Sequence, residues 1–179
     1  MSGPAAPCLV LPGYQDSGPG HWQSRWEALD ATLTRVQQRD WDAPDCDEWV
    51  AALDAAVRAR GQEVVLVAHS IGCLTVVHWA ARATPGVRGA LLVAVPDPSG
   101  PSFPAPATGF ASVPRDRLPF PSIVVVSDDD PYAAPGFGIA CAEAWGARLV
   151  AVGSKGHING QSGLGDWPQG RALLATLTA

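Results

Sequence analysis

The sequence contains few of the features that mark membrane, secreted or metal-binding proteins. No apolar stretch reaches the roughly 18 residues that a membrane-spanning helix needs. Residues 1–7 carry no basic segment, and the apolar run that follows stops at Pro12, too early for a secretory leader. We therefore expect a cytoplasmic protein without a membrane partner. The cysteines form no C-x-x-C pair, which predicts buried free thiols and no metal site. They are Cys8, Cys46, Cys73 and Cys141.

Basic runs and nucleotide-binding motifs are also absent. The chain carries 12 basic and 17 acidic residues, a net charge of −5, and no basic run is interleaved with aromatic residues. Nucleic acid is therefore not an expected partner. The glycines at 136 and 138 lack the third glycine of a dinucleotide motif and do not follow a first strand, and no G-x-x-x-x-G-K occurs. We expect no cofactor.

Short apolar runs alternate with helix-compatible segments along the whole chain. With 47% hydrophobic and 16% charged residues, the 179-residue chain is typical of one globular domain, residues 1–179. The predicted strands are 8–11, 35–39, 64–68, 90–95, 122–127 and 148–152. The predicted helices are 22–33, 46–60, 71–83, 135–145 and 169–177. This alternation predicts an α/β fold of three layers, in which a mostly parallel six-stranded sheet has helices on both faces. Ligands bind such sheets at the carboxyl ends of the strands.

The segment 96–121 interrupts this alternation because it contains eight prolines, which cannot continue a helix. We interpret it as a long loop after the fourth strand that lies over the site. Phe103 and Phe110 could then line a substrate pocket. Alternatively, both are anchors that hold the loop on the body of the protein.

The sequence Ala68-His69-Ser70-Ile71-Gly72 follows a predicted strand and opens a helix-compatible segment. This layout is typical of a nucleophile elbow, in which a serine on a strained turn between small residues projects above the sheet. Ala68 stands where the motif usually has glycine. The alternative is an ordinary strand-to-helix turn in which Ser70 caps the helix.

A nucleophilic serine needs a base, and His157 is the histidine that fits. It follows the last predicted strand, at the end of the sheet where Ser70 should emerge, and the chain order of serine, acid and histidine is that of hydrolases. His69 lies inside the elbow, and His21 lies in the loop after the first strand. With Gly13, these two histidines are expected to border the substrate.

The acid that orients this histidine is expected after the preceding strand, where residues 128–130 are three consecutive aspartates. Asp130 is favoured because the following proline restricts its backbone to an extended conformation and gives the side chain a defined direction. Asp128 and Asp129 would cap the turn or stay solvated. Calcium binding by the triplet is an alternative without a supporting loop pattern.

An oxyanion would need two N–H donors, and Tyr14 and Ile71 are the expected pair. Ile71 directly follows Ser70, and Tyr14 lies in the turn after the first strand, where Gly13 lets the backbone approach closely. The alternative is that Pro12 and Gly13 only form a tight turn.

These stretches together resemble the retinoblastoma-binding protein 9 family of small serine hydrolases, which includes many bacterial members. The resemblance covers nearly the whole chain and is carried by residues 11–13, 20–26, 68–72, 127–132, 156–159 and 162–168. It implies an α/β-hydrolase fold with a minimal cap and a triad of Ser70, Asp130 and His157. It also places His21 and Trp22 at the border of the site, although a structural role for Trp22 is equally compatible with the motif.

The resulting hypothesis is a serine hydrolase without metal or cofactor that cleaves small carboxylic esters, or amides, through an acyl-enzyme on Ser70. If an acceptor other than water took the acyl group, the protein would be an acyltransferase or perhydrolase. A non-catalytic protein-binding module on a hydrolase scaffold is the alternative from another class. The expected partner is a small-molecule ester, and the expected state is a monomer or small homo-oligomer.

Overall fold

The computed structural model describes residues 6–82 and 86–179, and its centre is a sheet of six strands. The strands are β1 (Cys8–Leu11), β2 (Leu33–Arg35), β3 (Val64–His69), β4 (Val87–Val93), β5 (Ser122–Val126) and β6 (Arg148–Ala151). Their order is β2-β1-β3-β4-β5-β6, and all neighbouring pairs are parallel. Two sequence predictions fall partly outside the described residues: the N-terminal segment 1–7 and the end of the third helix at Ala83.

Helices cover both faces of this sheet. Successive strand residues point to opposite sides, so the apolar strands present a hydrophobic surface to a helical layer on each face. The helices are α1 (Trp22–Leu29), α2 (Cys46–Arg60), α3 (Ile71–Ala80), α4 (Pro135–Trp145) and α5 (Pro168–Thr178). Val64, Leu66 and Ala68 of β3 belong to the core shared with α2, α3 and α4. Val65 and Val67 belong to the core shared with α1 and α5. Of the helices described, none combines the length and the apolar character needed to span a bilayer.

The first helix and second strand differ from the prediction. Helix α1 ends at Leu29 instead of residue 33, and β2 lies earlier than the predicted 35–39. The cause is a turn at Asp30, whose Oδ1 accepts hydrogen bonds from the Thr32 N–H at 3.0 Å and the Thr32 hydroxyl at 2.7 Å. This turn brings Leu33 into register with Cys8. The other elements lie where predicted, with ends displaced by no more than a few residues.

The proline-rich segment 96–121 forms no helix or strand of its own. It is held to α2 by an isolated bridge between Thr108 and Asp45, and by Phe110. The Phe110 ring is buried and packs edge-on against Trp49 with 6.4 Å between ring centroids. This position corrects the expectation that Phe110 lines a pocket: it is a core anchor of the loop.

The carboxyl ends of β1 and β3 form the topological switch point of the sheet, since β1 connects outward to β2 and the chain then returns to β3 on the other side. The start of α3 packs directly on the end of β1. A Cβ atom at Gly72 would lie 2.2 Å from the Leu11 carbonyl oxygen, so only glycine permits this approach. The turn that carries Ser70 is thereby fixed beside the loop that follows β1.

Candidate active site

Ser70 lies in a strained turn between β3 and α3. Its φ is +55° and its ψ is −127°, a conformation that L residues rarely adopt. The backbone N–H of Ser70 donates to the Val93 carbonyl at 3.0 Å, which fastens the turn to β4. Although Ser70 occupies the N-cap position of α3, its side chain makes no capping hydrogen bond. Helix capping therefore does not explain the serine, and its hydroxyl is available for another partner.

That partner is His157. The Ser70 hydroxyl donates to His157 Nε2 at an Oγ–Nε2 distance of 2.8 Å, and His157 Nδ1–H donates to the two oxygens of Asp130 at 2.9 and 3.0 Å. The side chains of His157 and Asp130 are only 8% and 5% exposed. The three residues come from the ends of three different strands of the sheet. Together they form a continuous hydrogen-bonded row from a carboxylate to a hydroxyl.

The aspartate triplet separates into three different environments. Asp130 bonds His157, whereas Asp129 Oδ1 accepts from the Gly156 N–H at 2.7 Å and from the Ser127 hydroxyl at 2.9 Å. The Gly156 bond is the main reason that the pKa of Asp129 lies below its ordinary value. Asp128 is exposed. Within residues 6–82 and 86–179, no group of three or more His, Cys, Asp and Glu side chains could hold a metal ion.

Two backbone donors stand next to Ser70 without a protein acceptor. In the described part of the chain, the N–H groups of Tyr14 and Ile71 donate to no backbone or side-chain group. The turn that carries Tyr14 touches the serine, because a Cβ atom at Gly13 would lie 2.8 Å from Ser70 Cβ. This arrangement leaves both N–H groups free to bind an oxyanion.

A cavity of about 490 Å³ opens above Ser70. Of the residues expected to border the substrate, Gly13, His21 and His69 line it. Phe103 and Phe110 do not: Phe103 is half-buried against the core and Phe110 lies within it. The proline-rich loop reaches the cavity through its Pro104. The remaining lining residues come from the loops after β1, β3, β5 and β6.

Two of the histidines at this cavity are held neutral. His21 caps α1: its Nδ1 accepts from the Gln23 N–H at 3.1 Å, so the ring proton is on Nε2. Burial, followed by the positive charge of Arg35, lowers the pKa of His21 to about 3. Burial also holds the pKa of His69 well below its ordinary value. The two rings meet edge to face with centroids 4.6 Å apart.

The His21 environment predicts a loss of stability in acid. The unfolded chain takes up a proton at this residue below about pH 6.5, whereas the folded protein does so only near pH 3. The free energy of unfolding should therefore decrease as the pH is lowered from about 6.5 toward about 3. This residue contributes up to about 1.4 kcal/mol of that decrease per pH unit. His21→Asn keeps a capping oxygen but does not titrate, so urea unfolding at pH 4.5, 5.5 and 7 should give a shallower fall. Parallel slopes for variant and parent would contradict a buried neutral His21.

Sequence reasoning missed part of this site. The Tyr132 ring packs at a tilt of 44° against His157 with 4.3 Å between ring centroids, and residues 159–161 form one wall of the cavity. Asp129, which was expected to cap the turn or stay solvated, accepts the Gly156 N–H and so binds the loop that carries His157. The position of Tyr132 two residues after Asp130 could have indicated that it lies near His157. The wall formed by residues 159–161 could not be predicted, because it depends on contacts with the loop after β1.

A sequence profile of the family described as Serine hydrolase matches residues 8–176. A protein described as a YdeN-like hydrolase from Pectobacterium atrosepticum is 31% identical, with a TM-score of 0.87 over 97% of this chain and 91% of that one. The ydeN gene product of B. subtilis is 19% identical, with a TM-score of 0.78 over 96% and 98%. None of the curated protein sequences matches this chain.

More distant structures share the same architecture. A thermophilic esterase from Thermogutta terrifontis is 16% identical, with a TM-score of 0.71 over 99% of this chain and 92% of that one. At this identity the likeness concerns the fold alone. Together with the parallel six-stranded sheet, these similarities confirm the predicted α/β-hydrolase fold.

Proposed function

The chain belongs to the serine hydrolase family, and from this we propose that it cleaves small carboxylic esters through an acyl-enzyme on Ser70. The observation that carries the proposal is the hydrogen-bonded row from Asp130 through His157 to Ser70, with 2.8 Å between His157 Nε2 and Ser70 Oγ. Such a row activates a serine because the imidazole accepts the hydroxyl proton as the oxygen attacks.

In the acylation step, Ser70 Oγ forms a bond to the ester carbonyl carbon while its proton passes to His157 Nε2. Asp130 stabilises the imidazolium through the Nδ1–H bond, and the N–H groups of Tyr14 and Ile71 bind the negative oxygen of the tetrahedral intermediate. His157 then gives its proton to the leaving alcohol oxygen as the carbon–oxygen bond breaks. The acyl group remains on Ser70.

Deacylation reverses these roles with water. A water molecule attacks the acyl carbon while His157 Nε2 accepts its proton, and the proton is returned to Ser70 Oγ as the acyl–serine bond breaks. A carboxylic acid is released and the starting state is restored. The strained backbone of Ser70 and the absence of a capping bond support this use of the hydroxyl.

The cavity supports a short, polar and uncharged acyl group. Among the described residues that line it, none is Leu, Ile, Val, Met, Phe or Trp. Sites for apolar ligands are lined mainly by hydrophobic side chains, so a long acyl chain would find no matching wall here. None of the lining residues is Lys or Arg, and the Asp16 carboxylate on the wall is paired with Arg35 at 2.8 Å. An anionic acyl group would therefore find no unpaired cation.

A matched series of p-nitrophenyl esters tests this substrate class. We expect kcat/KM to be at least about tenfold higher for the butyrate than for the octanoate ester, because the octanoyl chain lacks an apolar wall. The methoxyacetate and butyrate esters have equally long acyl groups, and after division by each ester's rate with hydroxide the methoxyacetate should be preferred. A preference for octanoate would contradict the polar-cavity interpretation.

The finer assignment to the retinoblastoma-binding protein 9 family is likewise a proposal. It rests on the six segments that carry the resemblance, and two of these, residues 20–26 and 162–168, interact in the folded chain. Arg25 pairs with Asp166 at 2.6 Å, and Trp26 Nε1 donates to the Asp166 carbonyl at 2.7 Å. These contacts give both segments a shared structural role beside the site.

A further inference from the structure

The loop that carries His157 has an unusual backbone. Gly156 and Ile158, the residues on either side of His157, have φ angles of +55° and +48°. Glycine adopts positive φ freely, but for a β-branched residue such as isoleucine it is a strained conformation. Ile158 is fully buried in the core shared with α1 and α5. The positive φ of Ile158 must therefore be stabilised by contacts with other parts of the chain.

Two buried ring N–H groups hold consecutive carbonyls of this segment. His69 Nε2 lies 2.8 Å from the His157 carbonyl oxygen, and since a carbonyl can only accept, His69 carries its proton on Nε2 and donates it. Trp22 Nε1–H donates to the Ile158 carbonyl, also at 2.8 Å. Both rings are almost completely buried. The donors come from different places in the fold, the end of β3 and the start of α1.

The segment before His157 is held by residues that follow β5. The Lys155 N–H donates to the Ser127 hydroxyl at 2.8 Å, and the Gly156 N–H donates to Asp129 at 2.7 Å. The loop is therefore hydrogen-bonded to side chains from the ends of β3 and β5 and from α1. The His157 ring itself is packed between His69 and Tyr132, at centroid distances of 4.8 and 4.3 Å. With the ring orientation fixed by packing, the backbone position sets the distance to Ser70.

We propose that Trp22 and His69 are positioning residues whose ring N–H groups hold the strained backbone at His157 and Ile158, and so set His157 Nε2 against Ser70 Oγ. The proposal rests on the proposed serine hydrolase function. Neither side chain takes part in proton transfer. Loss of either N–H lets the segment relax and moves the imidazole away from the hydroxyl.

The competing explanation is that Trp22 is only a core tryptophan whose N–H happens to find an acceptor. Trp26 provides the matched control. It lies on the same helix, packs on Trp22 with ring centroids 4.6 Å apart, and is equally buried. Its Nε1–H donates to the Asp166 carbonyl at 2.7 Å, which is not part of the histidine loop. The substitutions Trp22→Phe and Trp26→Phe remove the same kind of hydrogen bond from the same aromatic cluster.

The test measures inactivation by a fluorophosphonate, because this probe reacts with an activated serine without knowledge of the substrate. In Trp22→Phe we expect the maximal inactivation rate to fall about tenfold to a hundredfold, as for a displaced catalytic group, with little change in probe affinity. Trp26→Phe should keep the parental rate within about threefold even where both variants lose similar thermal stability. His69→Phe removes the second donor and should lower the maximal inactivation rate in the same way, which also provides a variant if Trp22→Phe does not fold; because His69 lines the cavity, only the maximal rate is compared for this variant.

A spectroscopic readout separates this proposal from the proposed function. The low-field proton resonance of His157 Nδ1–H, which is bonded to Asp130, reports the imidazole position without requiring an activated serine. It should shift or broaden in Trp22→Phe and stay unchanged in Trp26→Phe. If the parent protein is not labelled by the probe, the hydrolase function fails while this resonance still tests the positioning. Equal inactivation rates and equal resonances in the two tryptophan variants would overturn the proposal.

Discussion

Ser70→Ala is expected to lower kcat/KM for hydrolysis of the preferred ester by about 10⁴-fold to 10⁶-fold. The reason is that the Ser70 hydroxyl is the only side-chain oxygen bonded to His157 Nε2 among the described residues. Without this hydroxyl, no acyl-enzyme can form and no serine proton can pass to the imidazole. Only the weak rate acceleration from oxyanion binding would remain.

The matched control for this substitution is Ser122→Ala. Ser122 is similarly buried, but it opens β5 at the amino end of the strand, away from the site, and its hydroxyl donates to the Phe120 carbonyl at 3.1 Å. Its loss should leave kcat/KM within about twofold, with at most a modest loss of stability. Ester hydrolysis by Ser70→Ala at the rate of this control would exclude Ser70 as the nucleophile.

Asp130→Asn is expected to reduce kcat by about 10⁴-fold with little change in structure. The amide keeps the shape of the carboxylate but cannot stabilise the imidazolium, and its NH₂ group favours the wrong ring tautomer of His157. Both Asp130 oxygens lie within 3.0 Å of His157 Nδ1, so an amide NH₂ at either position faces this ring nitrogen. The effect is measured as kcat for the same ester at neutral pH.

The neighbouring aspartates allow a sharp comparison, because each substitution to asparagine removes one negative charge from the same turn. Asp128→Asn alters an exposed carboxylate and should change kcat less than about threefold. Asp129→Asn weakens the bond to the Gly156 N–H and should give an intermediate loss. If Asp128→Asn reduced kcat as strongly as Asp130→Asn, the acid would have been misassigned.

The parts of the site that could be predicted from the sequence follow from local rules and chain order. The strand, sharp turn and helix around Ser70 can be predicted from about ten neighbouring residues, because the apolar run indicates the strand and the small residues indicate the turn. In a parallel sheet, residues that follow successive strands emerge at the same edge. This rule predicts that Asp130 and His157 lie near Ser70, and in the structure His157 is within hydrogen-bond distance of both Ser70 and Asp130.

What could not be predicted depends on contacts between distant residues. The bond from Trp22 to the Ile158 carbonyl joins positions 136 residues apart, and neither residue carries a local sign of it. Phe110 illustrates the same limit: the sequence left pocket lining and loop anchoring open, and packing on Trp49 in the core decides for the anchor. The shift of β2 arose from a single Asp30 turn whose strength is not visible in hydrophobic periodicity.

The most direct test of the central proposal is covalent labelling of the folded protein with a fluorophosphonate, located by peptide mass spectrometry. We predict one label per chain, on the peptide that contains Ser70, and no label in Ser70→Ala. Folded protein that stays unlabelled, or that is labelled at another serine, would contradict an activated Ser70. The complete absence of a label would favour a non-catalytic binding module built on the same fold.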